Sequence, residues 1–597
     1  MFNSFSDKNK IDAYVYLSFS FLLVLVFSML AYVSYASFLK YKNSVTEPFY
    51  NFKSDAVKLS SSPVTDQLVF IIIDGLSYAD SARLASLNEF KKKSIHSKIK
   101  IYEPTLSLTS WMTFLTGAPP DIHGFISPAC EAKYTACENL FSIAKSRTLK
   151  TALFGHKDWK PLVGEFIDIG FYKNFNPLNT NIIDIDAEIM SNAISYIKNE
   201  RPNFTLIHLP GLDRTSHIFG KKSHEYKVHI EKLDGVLSAF LNSSLVNERY
   251  VVVASDHGHV EKGGHGGGEA EVTGALFMMA GPGVITERIG FLKIDQRDVC
   301  PTISSLLGIP PPYLNSGSFL SRAFKFSDYL KNLKMRAVIN QKTNFYRSYL
   351  NRISAAGDPV FDSALNLEDI EAKSSSLPYK EKQLMFESYE KKSDFEFEKK
   401  ISDYRHYGVI YRFIYLGVIV FIFLAFLMYK FRNGYRLFSA LAQIAIFYSI
   451  YYGIYFFHGF NFSISDVNSF DLFGQFMDKR RIEVICALLL SFTPLLMNYF
   501  VLQKRFYIWL NYVFFPVFFE FNSYLAFTIC AQCLYFIGLF GARIDFFLPD
   551  MRLAFKYYLD IQMLIVVELA MIAIFILAYW ALMHSGGKNF SSKRAEE

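Results

Sequence analysis

Cysteine is scarce, with six in 597 residues, too few for a scaffold built on disulfides, so each is read on its own. Cys130 and Cys137 lie close enough in sequence to close a small surface disulfide in an oxidising compartment, a pairing that the sequence leaves open. Cys530 and Cys533 form a C-x-x-C within an apolar run and have no second pair nearby, so helix packing is the better reading than metal or redox chemistry. Cys300 and Cys486 are read the same way. Charge of one sign is also lacking: 62 Lys and Arg face 55 Asp and Glu, a net of +7. No basic stretch is interleaved with aromatics as a nucleic-acid groove requires, which excludes nucleic acid as a partner. Internal repeats and low-complexity tracts are absent.

Apolar residues are abundant. They make up 51% of the chain, aromatics 17%, with 60 Phe and 37 Tyr, more than a water-soluble enzyme of this length hides, and the excess belongs in lipid. An uncharged segment at 13–39 is longer than a signal-peptide core and lacks a small-residue cleavage site. It predicts a retained anchor after a short cytosolic tail at 1–12, with a linker at 40–65 after it. The charged stretch 340–405, interrupted by Ser374, Ser375, Ser376 and Pro378, predicts a solvated connector ending in a juxtamembrane helix. Apolar runs at 413–429, 437–457, 484–502, 506–540 and 561–583 then predict a C-terminal region at 406–584 of about five membrane spans, with a cytosolic tail at 585–597. Glu520 marks a break in the 506–540 run. Basic loops (Lys430, Arg432 and Arg436; Lys504 and Arg505) and the basic tail are assigned to the cytosol. That assignment places residues 66–339 on the non-cytosolic face: the endoplasmic-reticulum lumen in a eukaryote, the periplasm or exterior in a bacterium.

Residues 66–339 alternate short apolar runs with helical stretches, the pattern of an α/β domain with a mostly parallel sheet. Predicted strands cover 69–73, 151–154, 204–209, 250–254 and 275–279, and their continuous apolar character suits strands covered on both faces. Ligand-type residues cluster where strands end. Asp74-Gly75 comes directly after the first. Pro104-Thr105-Leu106-Ser107 precedes a helix running to Thr116-Gly117, and a hydroxyl at a helix N-terminus meets free backbone N–H groups and the positive dipole end, a setting for a phosphoryl-serine. Asp213 and His217, four apart, share one helix face and suit zinc. Asp256-His257 offers two ligands at a turn, and His265 sits among five glycines that let the backbone close around a crowded centre. Taken singly, each cluster also fits a helix cap, a surface pair or a glycine-rich loop; their order along the chain is what argues for one site.

This set resembles the alkaline-phosphatase superfamily, in its metal-binding order over about Val69 to Gly283. The resemblance implies an alkaline-phosphatase-like α/β sandwich, here joined to an α-helical transmembrane bundle. It implies two zinc ions, with Mn2+ or another divalent ion as the alternative occupant of one site. One would be held by Asp213, His217 and His265, the other by Asp74, Asp256, His257 and the oxygen of Ser107, the attacking group. Thr105 and Thr109 rank below Ser107 as nucleophiles. Within the superfamily, Leu212–His217, Ser255–Gly258 and Gly264–Gly267 look most like the ethanolamine-phosphate transferases of glycosylphosphatidylinositol anchors, and the segments Asp298–Pro310 and Asn315–Gly317 resemble the end of those domains. Thr116–Gly124 looks more like nucleotide pyrophosphatase/phosphodiesterases. Ser110 stands where those carry a substrate-contacting Asn, and His259 where the transferases usually carry Met, so both are candidate substrate contacts.

The expected activity is transfer of ethanolamine phosphate from phosphatidylethanolamine to a glycolipid hydroxyl through a covalent Ser107 intermediate. The alternatives are a membrane-anchored phosphodiesterase, nucleotide pyrophosphatase or phosphatase, and a catalytically silent membrane scaffold. The expected partners are a phospholipid donor, a glycolipid or other phosphoester, and the membrane itself. Glu520 and Glu568, in apolar segments, are read either as lining a polar path or as bonding between helices.

Overall fold

The computed structural model describes residues 62–126, 137–175, 182–286, 293–353, 367–430, 434–466, 470–502, 509, 513–540 and 550–593. The predicted anchor at 13–39 and Cys130 lie outside them. Seven strands form one sheet: β1 (Leu68–Ile73), β2 (Ile95–Lys100), β3 (Thr151–His156), β4 (Ile169–Lys173), β5 (Phe204–Leu209), β6 (Tyr250–Ser255) and β7 (Gly274–Ala280), in the order β2-β7-β6-β1-β5-β3-β4. β6, β1, β5, β3 and β4 run parallel, while β7 is antiparallel to β6 and β2 antiparallel to β7.

Side-chain alternation along a strand explains the layering. On β1, Leu68, Phe70 and Ile72 enter one core and Val69, Ile71 and Ile73 enter the other, all fully or almost fully buried. The first core is closed by helices α1 (Ser107–Thr116) and α5 (Val299–Leu307), the second by α2 (Ile182–Glu200) and α4 (His224–Leu241), which flank the short helix α3 (Gly211–Phe219). Each fully buried Leu, Ile or Phe contributes about 1.5–3 kcal/mol relative to exposure.

The stretch predicted as a solvated connector is largely helical and packs on the domain. Helix α6 (Asp328–Ile353) lies against α7 (Tyr379–Lys430). Phe345, Tyr346, Tyr349, Phe386, Tyr389 and Phe397 join the first core, with the Tyr346 and Phe397 rings stacked at 3.8 Å. The charges that suggested solvation lie on the outer faces of these helices or are paired: Lys342 is buried between Glu390 and Asp394. Cys137 is a buried free thiol in the same core, and its pairing with Cys130 falls outside the described residues.

Beyond α7 lies a second helical body: α8 (Gly434–Phe457), α9 (Phe470–Ser491), α10 (Thr493–Leu502), α11 (Phe515–Phe540) and α12 (Met551–Lys593), around a core that includes Phe447, Phe518, Leu525 and Val567. Among the described residues one helix, over Met551–Ala578, is long and apolar enough to cross a membrane. The predicted run 484–502 is two helices, broken at Phe492. Glu520 does not break α11, which passes through it unbroken. Glu568 is buried beside Asn522.

Candidate metal and catalytic site

Three neighbouring strands at the centre of the sheet, β6, β1 and β5, all run the same way, so the segments leaving their C-terminal ends emerge at one edge of the sheet, where open α/β sheets bind ligands. Asp74 comes directly after β1, the Asp256-His257 turn after β6, and α3, carrying Asp213 and His217 one turn apart, after β5. Ser107 is the first residue of α1, which ends on Gly117 at φ 69°. A Cβ at Gly117 would lie 2.1 Å from the Asn315 side-chain oxygen, so glycine is required where α1 meets the Asn315–Gly317 segment.

The predicted residues converge in two adjoining clusters. In one, Ser107 Oγ lies 3.0 Å from His257 Nε2 and 3.4 Å from Asp74 Oδ1, His257 Nε2 lies 3.3 Å from Asp74 Oδ1, and the Asp256 carboxylate is 3.8 Å from the same nitrogen. In the other, His217 Nε2 is 2.9 Å from His265 Nε2 and 3.3 Å from Asp213 Oδ1, which is 3.6 Å from His265 Nε2. The His257 and His265 rings stack at 3.9 Å and join the two.

The second side of each ligand is tied down. His156 N–H donates to His208 Nδ1, so His208 Nε2–H donates to Asp74 Oδ2 at 2.9 Å and leaves Oδ1 facing the site. Asp256 Oδ1 accepts from the backbone N–H groups of Gly75 and His257, and Trp111 Nε1–H donates to Oδ2 at 2.8 Å. Trp111 is itself stacked on Trp159 at 4.3 Å. Behind α3, Asp186 accepts from the Gly211 N–H and meets His229 Nε2 at 3.1 Å, while His229 Nδ1 meets Thr215 Oγ1 at 2.9 Å. This buried chain holds the helix that presents Asp213.

The donor set fits divalent cations. His265 Nδ1 donates to the Thr105 carbonyl and His257 Nδ1 to the Gly258 carbonyl, so in the neutral ring that binds a metal each Nε2 is the lone pair, aimed into the site. Three carboxylates and these lone pairs crowd together with no lysine or arginine side chain among them in the described residues. Burial, then repulsion from Asp213, raises the Asp74 carboxyl; burial and Asp74 raise Asp256 to about 7. Burial opposes charge on His257, but Asp256 and Asp74 outweigh it and hold the imidazole up at about 10. The site is therefore built for positive charge from outside the chain.

Four further sequence candidates are buried. Thr105 is fully buried, its hydroxyl donating to the Gly267 carbonyl and accepting from the Gly266 N–H, and Thr109 is fully buried as well. Ser110, expected to touch substrate, is buried and donates to the Asp256 carbonyl. His259, also expected to touch substrate, is buried between Gly75 and Asp213. Proximity along the chain does not say which way a side chain turns. His208 and Trp111 were missed, although a histidine inside the otherwise apolar strand Phe204–Leu209 is a signal that could have exposed the first.

A strap from the helical body covers the loop that carries His265. Ser465, in the α8–α9 connection, accepts from the Gly267 N–H at 2.9 Å and donates to Glu269 at 2.8 Å, and Lys262 reaches the His458 carbonyl and lies over the Phe460 ring. A Cβ on Gly267 would lie 2.0 Å from Ser463 Oγ, so only glycine passes beneath the strap. Ser465→Ala strands a buried amide, at a cost of about 1–3 kcal/mol. The expected result is a lower melting temperature together with weaker metal retention. Wild-type values for both would show that the strap does not hold the loop.

Residues 68–262 match the family model described as Type I phosphodiesterase / nucleotide pyrophosphatase, so the chain carries a domain of that kind. Among named proteins, the chain is 28% identical over 227 residues to "GPI ethanolamine phosphate transferase 3, catalytic subunit" of Homo sapiens, covering 37% of this chain and 20% of that protein. It is 22% identical over 325 residues to "GPI ethanolamine phosphate transferase 2" of Schizosaccharomyces pombe, covering 48% and 42%. The chain thus spans less than half the length of these curated relatives. Among solved structures, murine ectonucleotide pyrophosphatase / phosphodiesterase 5 matches at 13% identity and a TM-score of 0.32 over 41% of this chain and 96% of that one.

Proposed function

We propose that this chain is a membrane phosphoethanolamine transferase that moves ethanolamine phosphate from phosphatidylethanolamine to a sugar hydroxyl of a glycolipid, through a covalent intermediate on Ser107. The carrying observation is that the Ser107 hydroxyl belongs to one of two adjoining clusters of metal-type ligands at the central edge of the sheet. The names of the relatives support the choice of transferred group. Asp213, His217 and His265 would hold one zinc ion, and Asp74, Asp256, His257 and the Ser107 oxygen the other, Mn2+ or another divalent ion being the alternative in one site. When bound, such ions lower the pKa of an alcohol and stabilise charge on the entering and leaving oxygens.

Ser107 Oγ gives up its proton and attacks phosphorus in line. A serine–phosphorus bond forms, and the bond to the diacylglycerol oxygen breaks, that oxygen taking a proton. The group left on Ser107 lies at the N-terminus of α1, where the helix dipole favours its negative charge. The acceptor hydroxyl then attacks the same phosphorus, loses its proton, and releases Ser107 Oγ, which regains one. The apolar helix over Met551–Ala578 supports a membrane setting, and the charge pattern of the loops would put the catalytic domain on the non-cytosolic face of a multi-pass protein.

The second reading is hydrolysis, with water as acceptor, favoured by the family model matched over 68–262. The protein given headgroup-labelled phosphatidylethanolamine and a glycolipid acceptor separates the two. Label in the glycolipid, with an ethanolamine-phosphate adduct on the Ser107 peptide, is the expected outcome. Release of free ethanolamine phosphate without glycolipid labelling would replace transfer by hydrolysis.

A further inference from the structure

We propose that His259 is a further metal ligand, its Nε2 joining Asp213, His217 and His265 so that this centre has three imidazoles and a carboxylate. The inference rests on the reading of the site as a metal centre. The three Nε2 atoms gather on one oxygen: Asp213 Oδ1 lies 2.9 Å from His259, 3.3 Å from His217 and 3.6 Å from His265. The ligand atoms of Asp213, His259 and His265 all lie within 4.8 Å of one another, in a group that takes in His257 as well, while His217 is tied to it through its contacts with Asp213 and His265.

The hydrogen bond on the far side of the ring decides what that nitrogen can do. His259 Nδ1 faces the Gly75 carbonyl at 3.1 Å, and a carbonyl only accepts, so the ring proton sits on Nδ1. In the neutral ring Nε2 is then a lone pair facing a carboxylate, an arrangement that repels unless a cation, a metal ion or a second ring proton, stands between them. A backbone carbonyl that fixes the outer nitrogen and frees the inner one is the usual support of a metal-bound histidine. His265 with Thr105 and His257 with Gly258 show the same pattern. His259 is also fully buried, and its ring crosses those of His217 and His265 at 87° and 84°. A surface role and a role touching substrate both disagree with that placement.

Four protein ligands complete a tetrahedron, whereas three leave one position open. The Asp213 centre would therefore hold its ion more tightly with His259 than with Asp213, His217 and His265 alone, and its ion would resist chelation longer. The test uses the full chain in detergent, stripped of metal and reloaded with Co2+ or Zn2+ alone, and compares wild type with His259→Met and His259→Gln. The second variant keeps a donor for Gly75, and a melting curve checks that each is folded. One of the two binding constants is expected to weaken by about 10- to 100-fold while the other stays near the wild-type value. X-ray absorption is expected to show one imidazole fewer per protein, and the cobalt visible spectrum to change.

An unchanged imidazole count in both folded variants overturns the proposal. If affinity falls while the count stays the same, His259 is a charged ring that positions Asp213, and ligation is again ruled out. Failure of the wild type to bind either ion overturns the metal-centre reading itself, a result distinct from failure of the His259 assignment alone.

Discussion

Ser107→Ala protein is expected to lose at least about 10³-fold in transfer rate, in the range seen when a covalent nucleophile is removed, while still binding metal and substrate. No neighbouring hydroxyl can replace it: Thr105 is held on both sides by the glycine-rich loop, and Thr109 is buried in the body of α1. The variant removes one oxygen from a cluster that keeps Asp74, Asp256 and His257, so metal content is expected to stay near the wild-type value. That pairing of lost turnover with retained metal separates a nucleophile from a structural residue. Full turnover by the alanine variant would end the covalent mechanism.

Removal of divalent ions has the second large effect, on activity and on stability together. A ligand present at about a hundred times its dissociation constant stabilises the folded state by about 2.7 kcal/mol per site, so a chelator should abolish turnover and lower the melting temperature by several degrees. Added zinc should restore both. The pH dependence of the metal-free protein has a defined sign. Asp256 is raised to about 7 from 3.8, so its stabilising contribution is complete below 3.8 and is lost as pH rises through 7. His257 is raised to about 10 from 6.5, and its contribution is complete below 6.5 and lost as pH rises through 10. Stripped protein therefore becomes less stable from mildly acid to alkaline pH. Loaded protein shows the opposite trend on the acid side, because protons compete with the ion for the same ligands. Melting curves with and without chelator across this range check both slopes, and superimposable curves would deny that these residues bind metal.

Legibility of the fold in the sequence tracks burial. β1, β3, β5, β6 and β7 are continuous apolar runs and are read within a residue or two of their ends. The two unread strands, β2 and β4, are the edges of the sheet. In β2, Ile95 and Ile99 are buried while Lys98 and Lys100 are exposed, so no apolar run exists to find. The site divides the same way. Residues placed just after central strands, Asp74, Asp213, Asp256 and His257, are recognisable by position. Those that act through orientation are not, because the roles of His208, Trp111 and, behind α3, Asp186 are set by which nitrogen or oxygen they bind. The paired charges of 340–405 mislead for a related reason, since Lys342 counts as solvated in composition yet is neutralised inside the fold.

The contact of Ser465 with Gly267 and Glu269 links the two halves of the molecule at its chemical centre rather than at a remote hinge. A recombinant fragment that stops short of α8 would keep every metal-type ligand, yet it would leave the Gly267 amide to water and free the segment bearing His265. Such a fragment is a poor stand-in for the whole enzyme, and weak turnover from it would report the missing lid of helices rather than the quality of the ligands.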